Sequence, residues 1–396
     1  MTTYTILIAL SLLVIFSYLF DLFAKKTKLP SILLLLALGI GLRLVADQFN
    51  WQTFNFFRIL PTLGTIGLIL IVFEGALELK YEPSKNKVIK SAFSAAFFIL
   101  LGTVLVITLI IHQITGQDWQ LCFINAIPFS IISSAIAIPS VAGFSKKTRE
   151  FVIYESSFSD ILGIILFNFA ISNTSLTIGS FTSLGFELLS ISLLSIVACG
   201  LLMIIMKKIT HHVKFFLILS ILILVYAIGQ TFHLPSLVLI LVFGLFLNNA
   251  DQFDYLWFKT KFWYDQFNKD LVQLHQLSAE SAFIIRTFFF VIFGFTIDIG
   301  NLNDSYLHIN GAFILASIFG LRFIYLKIFS KENLRPETFV SPRGLISILL
   351  FYNIPKELQI PTIDASYLFL TVLGTSVIMT IGLMLYRPVE SSSTEA

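Results

Sequence analysis

Two kinds of residue that organise soluble proteins are scarce in this chain. Cysteine occurs only as Cys122 and Cys199, each inside an apolar run, which excludes a disulfide framework and a thiolate metal site. Charged residues fill 12% of the 396 positions, too few to clothe a soluble domain of this length. The six histidines lie mostly near the ends of apolar runs and show no ligand spacing. No nucleophile–base pair, phosphate loop or metal cluster can be picked out, so neither an enzyme nor a cofactor is expected, and no nucleic-acid partner.

Apolar surface is what the chain has in plenty. Hydrophobic residues make up 57% of it and the mean hydropathy is +0.89. About 20 apolar residues suffice to cross a bilayer, so the expected fold class is an all-α polytopic membrane protein with the lipid bilayer as its partner. Thirteen spans are predicted, at 4–24, 29–46, 59–79, 88–111, 119–143, 151–171, 184–206, 215–231, 234–249, 279–299, 307–329, 337–353 and 365–386. The first lacks a basic leader and a small-residue cleavage site, and is expected to be a retained helix.

Lys and Arg orient these spans. With the N-terminus outside, one face collects Lys25, Lys26, Lys28, Lys80, Lys85, Lys87, Lys90, Lys146, Lys147, Arg149, Lys207, Lys208 and Lys214. The same face holds Lys259, Lys261, Lys269, Lys327, Lys331, Arg335 and Arg387. Of the 26 basic residues, only Arg43, Arg58 and Lys356 fall opposite, while Arg286, Arg322 and Arg343 lie within spans. That asymmetry predicts an outer N-terminus and a cytoplasmic C-terminus in a cell membrane. Residues 1–386 would form the membrane domain, as two inverted halves joined near 172–235. In the connection 250–278, Tyr255, Trp257, Phe258, Trp263, Tyr264 and Phe267 alternate with lysines, which suggests a helix lying among lipid headgroups. A polar cytoplasmic tail, 387–396, is too short for a nucleotide-binding domain.

Glu74, Glu155, Asp160, Arg322 and Arg343 stand well inside apolar spans. A charge at that depth costs at least about 2.5–3.5 kcal/mol and is expected to face a partner or a watery path. In Glu155-Ser156-Ser157-Phe158-Ser159-Asp160, Ser156 and Asp160 stack on one helical face, an oxygen-rich seat for a cation. Glu155 points elsewhere and is free to pair with a cation on another helix. The fifth span carries Pro128 and Pro139 around Ser133-Ser134-Ala135, and the twelfth contains Ser341-Pro342-Arg343-Gly344. Pro139, Pro342 and Gly344 therefore mark helix breaks. One interrupted helix in each half is the sign of a transporter built on inverted repeats. Ion transport is the reading these residues support.

The same residues carry a resemblance. Leu68 to Leu79, ending Glu74-Gly75-Ala76-Leu77-Glu78-Leu79, is similar to the third-helix pattern of the NhaP-like sodium/proton exchangers, within the cation–proton antiporter superfamily. Glu155 to Asp160 resembles that family's sixth-helix E-S-x-x-N-D, Arg286 to Gly294 the segment before its tenth helix's outer end, and Ser341-Pro342-Arg343-Gly344 its G-P-R-G. The likeness implies thirteen helices, a homodimer, and exchange of Na+, Li+ or K+ for H+. It implies that Asp160 takes the cation and the proton in turn, with Ser156, Glu74 and a carbonyl near Ser133 as further oxygen ligands. It implies a structural ion pair between Glu155 and Arg322, and Arg343, grouped with them, holding the twelfth-helix break against a neighbouring carboxylate or carbonyl. Two departures stand out: Ser159 replaces the family's asparagine, and Ser133-Ser134-Ala135 replaces its T-D-P. With one aspartate where electrogenic relatives have two, one-for-one electroneutral exchange is expected. A K+/H+ efflux system, a proton-coupled carrier of a small organic ion and a non-transporting sensor on the same fold are the competing readings. The carrier would need a larger polar cavity, and the sensor would tolerate loss of Asp160.

Overall fold

The computed structural model describes residues 3–27, 29–48, 60–173, 178–208, 214–231, 236–252, 266–297, 304–329 and 336–385. Among them the regular structure is entirely helical. The α-helices are α1 (Thr3–Thr27), α2 (Ser31–Gln48), α3 (Leu60–Glu78), α4 (Asn86–Thr115), α5 (Trp119–Ser130), α6 (Ser134–Ser140) and α7 (Lys146–Ser172). They continue with α8 (Ile178–Lys208), α9 (Lys214–Thr231), α10 (Ser236–Asn248), α11 (Phe267–Thr296), α12 (Ser305–Phe329), α13 (Leu345–Tyr352) and α14 (Ala365–Leu385). Helix is what hydrocarbon imposes on a single segment, because each backbone donor and acceptor must be satisfied without water. α5 and α6 are the two parts of one interrupted span, so the described helices make up the thirteen segments read from the sequence.

Two boundaries differ from expectation for local reasons. α7 starts at Lys146 rather than 151, because Ser145 caps it and its hydroxyl accepts the Thr148 amide at 3.3 Å. The connection expected over 250–278 is shorter than that: Ala250–Gln252 form a 3-10 turn, and from Phe267 onward the chain is already the continuous helix α11. Phe267 is buried in the core, not turned toward headgroups. Residues 253–265, with the remaining aromatics of that stretch, and the tail 387–396 lie outside the described residues.

Packing sorts the helices into two groups. One holds α4, α5, α6, α7, α12, α13 and α14, where α7 packs on α4, α5 and α6, and α12 on α4 and α14. The other holds α1, α2, α3, α8, α9, α10 and α11, where α11 lies along α2 and α3, and α10 along α3 and α8. Close approach of α2 and α11 depends on glycine: a Cβ on Gly39 would collide with the Val291 carbonyl, and one on Gly294 would sit 2.5 Å from that of Leu36. The groups meet where α3 and α10 face α7, and α3 faces α13. Asp160 lies on that seam.

Candidate cation site

The fifth span is interrupted at Ile131-Ile132-Ser133, where the chain runs extended between α5 and α6. Neighbouring elements take up the amides that the break releases. Ile132 N–H donates to Ser159 Oγ at 2.9 Å, Ser133 N–H to the Pro342 carbonyl at 2.8 Å, and Ser134 N–H to Asp160 Oδ2 at 3.3 Å. A lost intrahelical bond at bilayer depth would otherwise cost several kcal/mol. Pro139 does not make this break, contrary to the sequence reading. It lies near the end of α6, and its missing N–H leaves the Ala135 carbonyl to Arg286 Nη1, at 3.4 Å.

The second interruption precedes α13 and crosses the first. Val340 to Gly344 link a 3-10 turn (Glu337–Phe339) to α13, with Pro342 and Gly344 inside the link. A Cβ on Gly344 would run into Ser133 Oγ and sit 2.8 Å from Ser133 Cβ, so this crossing admits only glycine. Arg343 is fully buried but pairs with no carboxylate among the described residues, which removes it from the ion-pair set. Its Nε donates to the Phe129 carbonyl (2.8 Å) and Nη2 to that of Ser130 (3.0 Å), while Nη1 reaches the carbonyl and hydroxyl of Ser341 (2.7 and 2.6 Å). The guanidinium thus sits on the last carbonyls of α5, the negative end of that helix. A carbonyl-bound arginine was the other option for this residue, and the dipole explains why it suffices.

Three carboxylates stand at depth, and their partners differ. Glu155 meets Arg322 through two parallel hydrogen bonds of 2.7 Å, the two side chains 1% and 0% exposed. Arg322 Nε also donates to the Glu337 carbonyl (2.8 Å), and Glu337 Oε1 accepts from Thr148 Oγ1 (2.9 Å), tying α7, α12 and the 3-10 turn together. Glu74, expected among the cation ligands, instead turns its Oε2 to Arg286 Nη2 at 3.4 Å. Asp160 is 7% exposed and has no arginine or lysine in salt-bridge reach among the described residues. One oxygen takes the Ser134 amide, and Oδ1 has no partner within the described protein.

Asp160 lines a cavity of about 10 Å³ on the seam between the two groups. Its walls are aliphatic, from Ile71 and Val72 of α3 to Leu241 of α10 and Ile346 of α13, apart from Asp160 itself and Ser157. Neither Ser156 nor Glu74 lines it. Ser156 Oγ donates to the Val152 carbonyl at 2.7 Å, one turn back in its own helix. The Ser133 carbonyl accepts the Ala137 amide at 2.9 Å and so begins α6. Of the site residues read from the sequence, Asp160 lines this cavity; Ser134, which bonds to Asp160, Ser157, which lines the cavity, and Ser159, which holds the break, were not placed in the site. The serine run around the carboxylates was the available signal, with nothing in it to rank one hydroxyl above another.

Comparison with known proteins gives the family and the fold. Residues 9–390 match the family model described as sodium/hydrogen exchanger, transmembrane. No curated relative matches the sequence. The fold is similar to that of the sodium proton antiporter MjNhaP1 from Methanocaldococcus jannaschii, solved at pH 8. The TM-score is 0.70 at 20% identity, covering 97% of this chain and 99% of that one. An electron-microscopy structure of the same antiporter aligns with a TM-score of 0.68, also at 20% identity, covering 98% and 100%.

Proposed function

The chain belongs to the sodium/hydrogen exchanger family, and we propose that it exchanges one Na+ for one H+ by competition of the two at Asp160. Cation/proton antiport across a membrane, through a multi-pass helical protein, is what the family establishes. The finer reading rests on one observation: of the three carboxylates at depth, only Asp160 is without an arginine, and it faces the seam between the helix groups. Glu155 and Glu74 are already neutralised by Arg322 and Arg286.

An ionised carboxylate without a counter-ion in the protein interior is penalised by several kcal/mol. Two occupied states avoid that penalty, the protonated acid and the carboxylate with a monovalent cation. If only these cross between the two faces as one helix group moves past the other, the fluxes are coupled without further machinery. One pH unit, worth about 1.36 kcal/mol, then supports roughly a tenfold cation gradient. The proposal includes a cell membrane, an outer N-terminus and cytoplasmic C-terminus, and the homodimer that the resemblance implies. Lys146, Lys147 and Arg149 at the start of α7 support the orientation.

The deciding experiment is reconstitution into liposomes carrying an imposed pH gradient and a pH-sensitive dye. Addition of Na+ should dissipate the gradient, and a small organic cation should not. Exchange driven only by an organic ion, without competition from Na+, would favour the carrier reading instead.

A further inference from the structure

We infer that the groove between α12 and α14 is a lipid-binding site, which takes one acyl chain of an anionic phospholipid and holds its phosphate at Lys327. The inference needs only a helical protein that crosses a bilayer, and stands apart from the exchange proposed at Asp160. Both helices belong to the group that contains α7. The groove has a volume of about 520 Å³, inside the roughly 300–1,000 Å³ range of small-molecule sites. Ala312, Ala316, Phe319 and Phe323 line it from α12, Phe339 from the 3-10 turn, and Ile378 from α14. Two alanines one helical turn apart make the hollow, because a methyl group leaves open the space that a longer side chain would fill. Glycines of α14 seat the walls: a Cβ on Gly374 would lie 2.6 Å from Leu315 Cδ1, and one on Gly382 2.5 Å from Phe339 Cβ.

The surroundings say what fills it. Phe313, Ile324, Val377 and Ile381 of the same two helices are exposed, so the groove opens onto bilayer hydrocarbon. Water in so apolar a recess would find almost no hydrogen-bond partner, whereas an acyl chain needs none. One end of the groove is charged. The α12 positions that line it, 312, 316, 319 and 323, recur every three or four residues, and the next on that stripe is Lys327. Lys327 is exposed, its Nζ lies 5.8 Å from the centre of the Phe323 ring, and no carboxylate pairs with it among the described residues. An ammonium with three donors, one turn beyond an apolar groove, matches a phosphate joined to an acyl chain. A zwitterionic lipid offers the same chain, but its own cation competes with Lys327 for the phosphate. The occupant also bears on the fold. Phe339 ends the turn that begins at Glu337, whose carbonyl accepts from Arg322 Nε at 2.8 Å. A chain packed on Phe339 therefore braces the turn on which the buried Arg322–Glu155 pair rests.

The test titrates the purified full-length protein, in neutral detergent, with phosphatidylglycerol or with phosphatidylcholine of the same acyl chains. Melting temperature gives the stabilisation, and native mass spectrometry counts the lipid retained. Phosphatidylglycerol should half-saturate at a concentration about fivefold lower, the equivalent of the ~1 kcal/mol that one lysine gains beside anionic lipid. Lys327→Gln should remove that preference and leave the response to phosphatidylcholine as in the parent. Lys87→Gln, the same charge change at the exposed start of α4, should shift neither lipid by as much as twofold. Ala316→Trp fills the groove from α12 and should lose the stabilisation by both lipids. Ala312→Leu, a smaller filling change, should do the same and serves if the tryptophan is not tolerated. Equal stabilisation of the parent by the two lipids would overturn the inference. So would a phosphatidylglycerol preference that survives Lys327→Gln or falls as far in Lys87→Gln, or lipid stabilisation kept in the filled variants. Filled variants that change oligomeric state with no change in bound lipid would overturn it too, by making the groove an interface between copies of this chain.

Discussion

Among the carboxylates buried in the helices, chemistry follows from which ones an arginine has already claimed. Asp160→Asn should abolish Na+-driven proton movement while the protein still folds. An amide neither releases a proton nor offers a negative ligand, and it can still accept the Ser134 amide that Asp160 now accepts. Dye-monitored exchange checks this, and a rate above a quarter of the parent's would remove Asp160 from the shared site. Glu155→Gln should do the opposite, harming stability more than ion preference. Removing one partner of a buried pair costs about 3–5 kcal/mol, and here both side chains are inaccessible. Neutralising Arg322 as well should recover part of the loss, so thermal shifts of the two single variants and the double variant should be clearly non-additive. The presence of these charges was legible in the sequence, since a carboxylate in an apolar span is conspicuous. The partner of Glu74 was not legible, because Arg286 lies on a helix more than two hundred residues away.

At the scale of elements, the two interruptions hold each other. Ser133 N–H bonds the Pro342 carbonyl, Arg343 closes the end of α5, and Ser159 and Asp160 satisfy two more amides of the first break. Gly344→Ala should push them apart. Its Cβ would sit 2.8 Å from Ser133 Cβ, a clash that no rotamer of Ser133 relieves, and such overpacking costs about 1–3 kcal/mol. The melting temperature and the exchange rate should both fall, and adding Ser133→Gly should restore much of each. A Gly344→Ala protein as stable and active as the parent would show that the crossing is looser than this geometry. Where the family has asparagine this chain has Ser159, whose Oγ accepts the Ile132 amide and so helps to hold the first break open. Proline alone misplaced that break, because a proline's own turn can remain helical when another group takes the freed carbonyl, as Arg286 does for Ala135.

For the whole molecule, the exchange proposed at Asp160, the buried carboxylate without an arginine among the described residues, is a cycle without net charge. Exchange should therefore be insensitive to membrane potential. A clamp of 100 mV would bias a one-charge cycle by about 2.3 kcal/mol, too large an effect to miss. Vesicles clamped with potassium and valinomycin, with Na+ as the transported ion, make the measurement. Exchange that speeds up or reverses with the clamp would show a second moving charge and end the one-for-one scheme. The grouping of helices crosses the order of the chain, with α1 to α3 joining α8 to α11. Hydropathy lists the spans and cannot say which of them pack together.

By itself the sequence determined the all-helical membrane architecture, the number of segments, the basic asymmetry of the connections and the presence of two carboxylates among serines in α7. These are properties of local composition and helical period, and lipid leaves a backbone few alternatives to helix. Only the tertiary structure decided which carboxylate stands without an arginine, where the fifth span opens, and which serine turns into the cavity. Each of those depends on a donor or acceptor from a distant element: Arg286 for Glu74, Ser159 for Ile132, Pro342 for Ser133. Ser156 and Ser157 are equivalent neighbours of Asp160 along a helix. The aliphatic walls brought by α3, α10 and α13 make them different.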